Sequence, residues 1–172
     1  TQLEGEPRQV VAQTLLQAAE PVSAATLARD TALPETAVEE ALSALRRLLE
    51  VSPDITPAQF ERFTLSTLAD NPEISALSFN AYVPDAKRAG FEREMALHLG
   101  LAAFRISERD GDGRLGPAAR RDVYVPVTYI VPRPDNQLAF GYDINSEPLR
   151  REAVTRATAM GNGIAVTSPL YL

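Results

Sequence analysis

Residues Asp122–Glu147 read D-V-Y-V-P-V-T-Y-I-V-P-R-P-D-N-Q-L-A-F-G-Y-D-I-N-S-E, two strands joined by a turn. Val125, Val127, Tyr129 and Val131 alternate with Tyr124, Pro126, Thr128 and Ile130, the β-branched and aromatic chemistry of a strand. Pro132 to Gln137 is turn chemistry, punctuated most strongly by Pro134-Asp135-Asn136. A second strand then puts Leu138, Phe140, Tyr142 and Ile144 on one face, and Ala139, Gly141 and Asp143 on the other. Two small side chains followed by a carboxylate suit the floor of a small-molecule pocket, with room above the sheet and one charge at its edge. The same residues also suit a bulge at Gly141 and an Asp143 that starts the turn into the next helix, capping it with Asn145 and Ser146.

Outward from this stretch, composition narrows the function classes. At 172 residues the chain is one domain, or a domain with a helical extension, and it can bury a substantial core. A hydrophobic content of 45% with a formal charge of −6 describes a soluble globular chain, and the acidic balance argues against nucleic acid or an anionic membrane surface as partner. The absence of cysteine excludes disulfides and thiol catalysis. His98 is the single histidine, so any histidine-rich metal site or Ser/His triad would have to pass through it. No apolar run reaches the roughly 18 residues that a membrane span needs. The chain opens on Thr1 without a signal-like segment, as a processed piece of a longer protein would.

Upstream, residues 1–51 read as a helical region broken by proline. Runs over Arg8–Glu20 and Ser23–Asp30 are followed by a third from about Pro34 to Val51, whose Val38, Ala41, Leu42, Leu45, Leu48 and Leu49 form one apolar stripe. Ser23–Leu45 also has the cadence of a helix-turn-helix. Its second helix would offer Glu35, Glu39 and Glu40 to the phosphates before any arginine, which opposes DNA binding.

A second unit spans residues 52–172. Thr56-Pro57-Ala58-Gln59 is a capping box with proline at the first helical position, and Phe60, Phe63, Leu65 and Leu68 supply the core face of the helix it opens. Ile74–Val83 reads as a strand, and Pro84-Asp85 opens a helix with Phe91 and Met95 inward and an Arg88–Glu92 pair at i, i+4. His98 falls at the end of that helix, an ordinary exposed position favoured by the helix dipole. Leu101–Ile106 reads as a short strand. In the following loop, Asp110-Gly111-Asp112-Gly113-Arg114 begins like a calcium loop, but arginines occupy the fifth and twelfth positions where ligands belong. A solvated hairpin is the expectation. A last helix runs from Ser146 to about Met160 with Leu149, Ala153, Ala157 and Met160 inward, closed by Gly161-Asn162-Gly163, and Ile164–Leu172 is a final strand.

Four ordered blocks in this arrangement resemble a known family. Asp85-Ala-Lys-Arg88-Ala-Gly-Phe91-Glu92 after a hydrophobic strand is similar to the Arg-x-x-Phe-Glu signature of CHASE domains, and Asp122-x-Tyr124-x-Pro126-Val127, Gly141-x-Asp143 and Ala165-x-Thr167-x-Pro169 match its later blocks in order and spacing. Ser52-x-x-Ile55-Thr-x-x-x-Phe60 fits upstream. The resemblance covers roughly residues 35–172.

The resemblance implies the extracytoplasmic sensory part of a membrane-bound histidine kinase or nucleotide cyclase, on the periplasmic or extracellular side of the cell membrane. It implies an α+β fold in which N-terminal helices lead into a PAS-like antiparallel sheet with flanking helices, here without the last strands of that sheet. In the cytokinin-receptor branch an aspartate at the position of Asp143 hydrogen-bonds the adenine-type ligand, and the backbone of the residue at Val166 lies beside it. Residue pattern and resemblance together give the candidate ligand-binding set Asp143, Val166, Gly141, Ala139, Thr167 and Tyr124. The expected partners are a small-molecule ligand and a second copy of the chain, paired through the Val38–Leu49 stripe. No catalytic residue, metal, cofactor or nucleic acid is expected. A structural dimerisation module with a vestigial pocket is the alternative, followed by a DNA-binding helix-turn-helix fused to a sensor.

Overall fold

The structure, a computed structural model, describes the backbone of residues 11–17, 20–27, 35–52, 55–72, 74, 76–159 and 164–166, and the side chains of 39–159 apart from 50, 53, 54, 73, 75 and 135. The elements are β1 (Val11–Gln17), β2 (Glu20–Leu27), α1 (Glu35–Val51), α2 (Pro57–Asp70), β3 (Ala76–Ala81), β4 (Val83–Pro84), α3 (Arg88–Leu99), β5 (Ser107–Arg109), β6 (Leu115–Pro117), β7 (Val123–Tyr124), β8 (Val127–Val131), α4 (Pro148–Ala159) and β9 (Ile164–Val166). The class is α+β.

The main sheet has the order β8-β3-β1-β2-β9. It is mixed where an antiparallel sheet is predicted. β1 runs antiparallel to β2 and β3 antiparallel to β8, but β1 and β3 are parallel, as are β2 and β9. Two short ribbons, β4–β7 and β5–β6, lie outside it.

Helix chemistry predicts α2 well. The Thr56 hydroxyl accepts from the Gln59 N–H, and Gln59 Oε1 accepts from the Thr56 N–H at 2.9 Å, with Pro57 at the first turn. α1 buries Ala41, Leu42, Leu45 and Leu49, the stripe read from the sequence. The stripe packs inside the chain, against Ile74, Leu77, Phe60, Tyr129 and Val131. α3 starts after a 3₁₀ turn over Asp85–Lys87 and ends at Gly100 in the left-handed conformation (φ 63°). His98 is exposed near its end.

Several expectations are corrected. The described residues of the runs at 8–20 and 23–30 lie in β1 (Val11–Gln17) and β2 (Glu20–Leu27), not in helices. Neither is long enough to make a strong apolar helical stripe, and pairing with β3 overrides a weak local propensity. Ser23–Leu27 lies within β2, so the helix-turn-helix cadence does not form two helices. Pro21 sits in β2 outside the Ala24–Thr26 stretch that β9 pairs with, where a missing N–H is tolerated. Residues 101–106 form no regular strand; the strand begins at Ser107. Leu65 and Leu149 are 49% and 48% exposed, not inward. Met160, the Gly161–Gly163 stop, Thr167 and the strand beyond Val166 lie outside the described residues.

The second strand of the central hairpin is also absent. Residues Pro134–Ala139 form a 3₁₀ segment, with Asn136 Nδ2 donating to the Pro132 carbonyl at 2.7 Å, and Leu138 is 81% exposed. The turn chemistry of Pro132–Asn136 thus extends through Ala139. Residues 141–144 then run beside the start of β8, through Gly141 N–H to Val127 O, Val127 N–H to Tyr142 O and Ile144 N–H to Val125 O.

The sheet divides two cores. One face carries Leu77, Phe79, Tyr129 and Val131 against α1, α2 and α3, with the Phe60 and Tyr129 rings 5.4 Å apart. The other carries Ala76 and Ile130 against Val125, Val127, Tyr142, Ile144 and Val154 of α4. A register shift in β8 opposite Phe79 and Asn80 inserts Thr128 as an extra residue. Its hydroxyl accepts the Ala81 N–H and donates to the Pro126 carbonyl, so the bulge leaves neither group unpaired.

Candidate functional site

The residues from 104 to 126 have little regular structure and are held by side chains. Arg88 does most of this. Its Nη1 donates to Ala118 O (2.9 Å) and to the Tyr124 hydroxyl (3.2 Å), Nη2 to Ile106 O (3.1 Å), and Nε to Glu92 Oε1 (3.0 Å). The same Glu92 oxygen accepts the Ile106 N–H at 2.9 Å. Burial works against the Arg88 charge, but the hydrogen bonds to Glu92 and Tyr124 outweigh it and leave its pKa above the ordinary arginine value. The i, i+4 pair therefore pins a distant segment as well as its own helix.

Tyr124 is fully buried. Its hydroxyl donates to Asp85 Oδ1 at 3.0 Å and accepts from Arg88 and from the Arg121 N–H, while the Arg88 and Arg121 guanidinium carbons lie 4.7 and 5.9 Å from its ring centre. That hydroxyl is saturated.

Asp143 is 0% exposed. Oδ1 accepts the N–H of Val125 at 2.7 Å and of Asn145 at 3.1 Å, capping the 3₁₀ turn Ile144–Ser146. Oδ2 accepts Arg121 Nη1 at 2.6 Å, and the other Arg121 nitrogen binds Glu108. Burial raises the Asp143 pKa above its ordinary 3.8, against the lowering pull of the Val125 N–H, the Arg121 charge and the Asn145 N–H. Three of the roughly four acceptor positions of the carboxylate are used. Arg121 bridges one fully buried carboxylate and one partly exposed one.

Gly141 has a second reason to be glycine. Its φ is +77°, and a Cβ there would meet the Arg105 carbonyl oxygen at 2.2 Å. The space above it is therefore filled by backbone rather than open. Ala139 is half-buried in the 3₁₀ segment, packed with the α4-side core.

The structure thus brings Asp143, Gly141, Ala139 and Tyr124 into one neighbourhood at the β8 edge. Val166 lies in β9, the opposite edge of the sheet, four strand spacings or roughly 19 Å away, and Thr167 is outside the described residues. Surface depressions border α1 and α2, one lined by Leu48, Ser52, Ile55, Gln59, Arg62 and Phe63 and another by Glu39, Glu40, Ser43 and Arg47. Neither includes a predicted ligand residue. Sequence reading missed Arg121 as the partner of Asp143, and Glu108 as the second carboxylate on Arg121, although Arg121 immediately precedes the Asp122-x-Tyr124 block. In the loop after β5, Asp110 Oδ1 accepts the N–H groups of Asp112 and Arg114, and Arg114 pairs with Asp112. Among the described residues no cluster of potential ligands is arranged for a metal ion.

The α+β domain has its irregular central segment locked by Arg88, Glu92 and Tyr124 and a buried carboxylate at the edge of its sheet. The sequence model of the CHASE domain matches residues 53–172, and the chain belongs to that family. CHASE domains are extracytoplasmic sensory domains of signalling receptors, and the sensory domain is not the catalytic part. No curated protein sequence matches the chain. No described helix is long and apolar enough to cross a membrane.

Proposed function

We propose that this chain binds a small molecule in a PAS-like site and passes the signal to the output part of a membrane-anchored histidine kinase or nucleotide cyclase. The site lies at the β8 edge of the sheet. Asp143 anchors it, Tyr124, Gly141 and Ala139 frame it, and Val166, which lies across the sheet on β9, and Thr167 complete the proposed set. The observation that carries this reading is Asp143, a fully buried carboxylate with an unused acceptor position, held on its outer side by an arginine that Glu108 shares. A ligand donor group would take the free position or displace Arg121 onto Glu108, and moving Arg121 moves the segment it anchors. The leucine stripe of α1 is buried within the chain, so the homodimer included in this proposal would use other surfaces.

A second reading has its own support. Asp143 already has three partners in the chain, as a purely structural latch in a module with a vestigial pocket would. One variant separates the two. Asp143→Asn keeps an oxygen for the Val125 and Asn145 N–H groups but loses the charge. A ligand anchor predicts a loss of roughly 1.5–3 kcal/mol in binding, about ten- to a hundredfold in affinity, with little change in melting. A latch predicts unchanged affinity and a lower melting temperature, which would end the anchor assignment. A thermal-shift screen of small amines, purines and amino acids supplies the ligands to compare.

A further inference from the structure

A short joint connects α1 to α2. The Ser52 N–H donates to Leu48 O at 2.9 Å, and the Ile55 N–H donates to Ser52 O at 3.2 Å, before α2 starts at Pro57. Where the two helices meet lies a depression of about 220 Å³, lined by Leu48, Ser52, Ile55, Gln59, Arg62 and Phe63. Its apolar lining is continuous with the helical core. Ile55 is buried, and Leu48 and Phe63 are partly buried against the cluster that includes Leu45, Leu49 and Phe60. At ~30 Å³ per water the space holds about seven waters. That is too little for a drug-sized molecule, and enough for one ring or a short branched chain with a polar head.

The polar part of the lining favours a guest that brings acceptors. Gln59 Oε1 is committed to the Thr56 N–H and hydroxyl, each at 2.9 Å, which leaves the Gln59 Nε2 to donate. Ser52 adds a hydroxyl and Arg62 a guanidinium. Arg62 has no carboxylate beside it on its own helix, because the residues at i±3 and i±4 are Gln59, Leu65, Ala58 and Ser66. Among the described residues it makes no ion pair. The depression along α1 differs, since its lining of Glu39, Glu40, Ser43 and Arg47 carries two carboxylates beside its arginine. In a chain of formal charge −6, an apolar hollow bordered by one cation and no acid has a charge preference of its own.

We propose that the α1–α2 joint is a second binding site, for a small organic acid whose apolar body rests on Leu48, Ile55 and Phe63 and whose carboxylate pairs with Arg62. The site is independent of the reading of Asp143. Arg62 is exposed, so water and salt weaken its ion pair, which selects the sign of the guest's charge more than it supplies affinity. Most of the binding comes from the apolar contact. A guest there touches the last turns of α1, the joint and the first turns of α2, and holds them in one arrangement.

The test titrates the whole chain calorimetrically with benzoate, benzyl alcohol and benzylamine, three probes of one shape and different charge. Benzoate should bind saturably, with a dissociation constant of about 1 mM or tighter, benzyl alcohol several-fold more weakly, and benzylamine not measurably. Arg62→Gln should weaken benzoate about five- to tenfold, leave benzyl alcohol unchanged and leave melting nearly unchanged, because the side chain is exposed. Arg62→Lys, which keeps the charge, should recover part of that loss. Arg47→Gln, in the other depression, should leave benzoate binding as it is. Benzylamine binding as tightly as benzoate would overturn the anion class. Equal weakening of benzoate and benzyl alcohol by Arg62→Gln would make Arg62 a packing residue and overturn the proposed pairing. Equal weakening of benzoate by Arg47→Gln and Arg62→Gln would reflect general attraction to surface cations and overturn the assignment to the joint. No saturable binding of benzoate up to about 10 mM would overturn the site itself.

Discussion

The two faces of the central sheet are built to different rules. Toward α1 and α2 it shows Leu77, Phe79, Tyr129 and Val131, which interlock with Leu45, Leu49, Phe60 and Met95 in one continuous apolar core. Toward α4 it shows Ala76, Val127 and Ile130 together with the buried polar Ser78 and Asn80, with one acceptor left over. The first face is apolar apart from the Tyr129 hydroxyl and gains stability in proportion to the area it hides. The second buries polar side chains among its apolar ones. One strand, β3, serves both, because alternate residues point to opposite sides. Apolar packing and buried polar groups are thus separated by a single residue step along the chain.

The largest test of that division removes a large side chain from the helical face. Phe60 is 1% exposed and packs on Tyr129. Phe60→Ala should cost about 3–5 kcal/mol, through lost burial and the cavity left behind. Chemical denaturation reads the change, and ligand affinity measured well below the melting temperature should stay constant. A loss of affinity comparable to the loss of stability would break the comparison.

Next in size is the lattice by which α3 holds the irregular segment. Arg88→Met retains most of the apolar stem but abandons four hydrogen bonds and leaves Glu92 without its partner. The pair is partly exposed, with side chains at 21% and 13%, so a fully buried ion pair overstates it, and about 2–3 kcal/mol is expected. Hydrogen exchange should speed up first in residues 104–124, not in α1 or α2. Uniform acceleration would show that the two faces do not unfold separately. Gly141→Ala should cost about 2 kcal/mol, from the positive φ and the collision with the Arg105 carbonyl. A neutral result would mean that Arg105 can give way, and that there is room above residue 141 after all.

The helical face was the more legible in the sequence. Its α1 stripe, the Thr56–Gln59 box and the inward Phe91 and Met95 are local patterns with a period of their own. Asp143 could be found because a lone carboxylate after two small residues is conspicuous, and because it falls in a block resembling the family. Its partner Arg121 is 22 residues away and Glu108 is 35 away, and no short-range pattern encodes such pairs. β1 and β2 were misread for the same reason. Residues 11–17 and 20–27 become strands by pairing with each other, β1 also with β3 more than 60 residues on and β2 with β9 more than 130 residues on, and tertiary pairing decides where local preference is weak. The second hairpin strand failed locally: alternation at Leu138–Ile144 was real, but Pro134 and Asn136 prolong the turn into it.

The smallest effect is the one that separates Asp143 from an ordinary ion pair. An aspartate whose main influence is a nearby arginine has a lowered pKa, and its contribution to stability is lost as pH falls. Asp143 lies the other way, because burial outweighs Arg121 and the two backbone N–H groups and raises its pKa above 3.8. Between the ordinary value and the raised one, the folded chain therefore holds more protons than the unfolded chain. Stability contributed by this group is fully present below the ordinary value and is lost as pH rises through the raised one. Asp143→Asn cannot titrate, so the difference in stability, variant minus unmodified, should grow more favourable to the variant as pH rises across that acid window and then level off. Other carboxylates cancel in the difference, apart from Glu108, which shares Arg121, so the comparison is repeated in a Glu108→Gln background. A difference that moves the opposite way, with the unmodified chain gaining on the variant as pH rises, would show that Arg121 dominates. Asp143 would then be a salt bridge of the stable core, and the division between the two faces would not extend to its carboxylate.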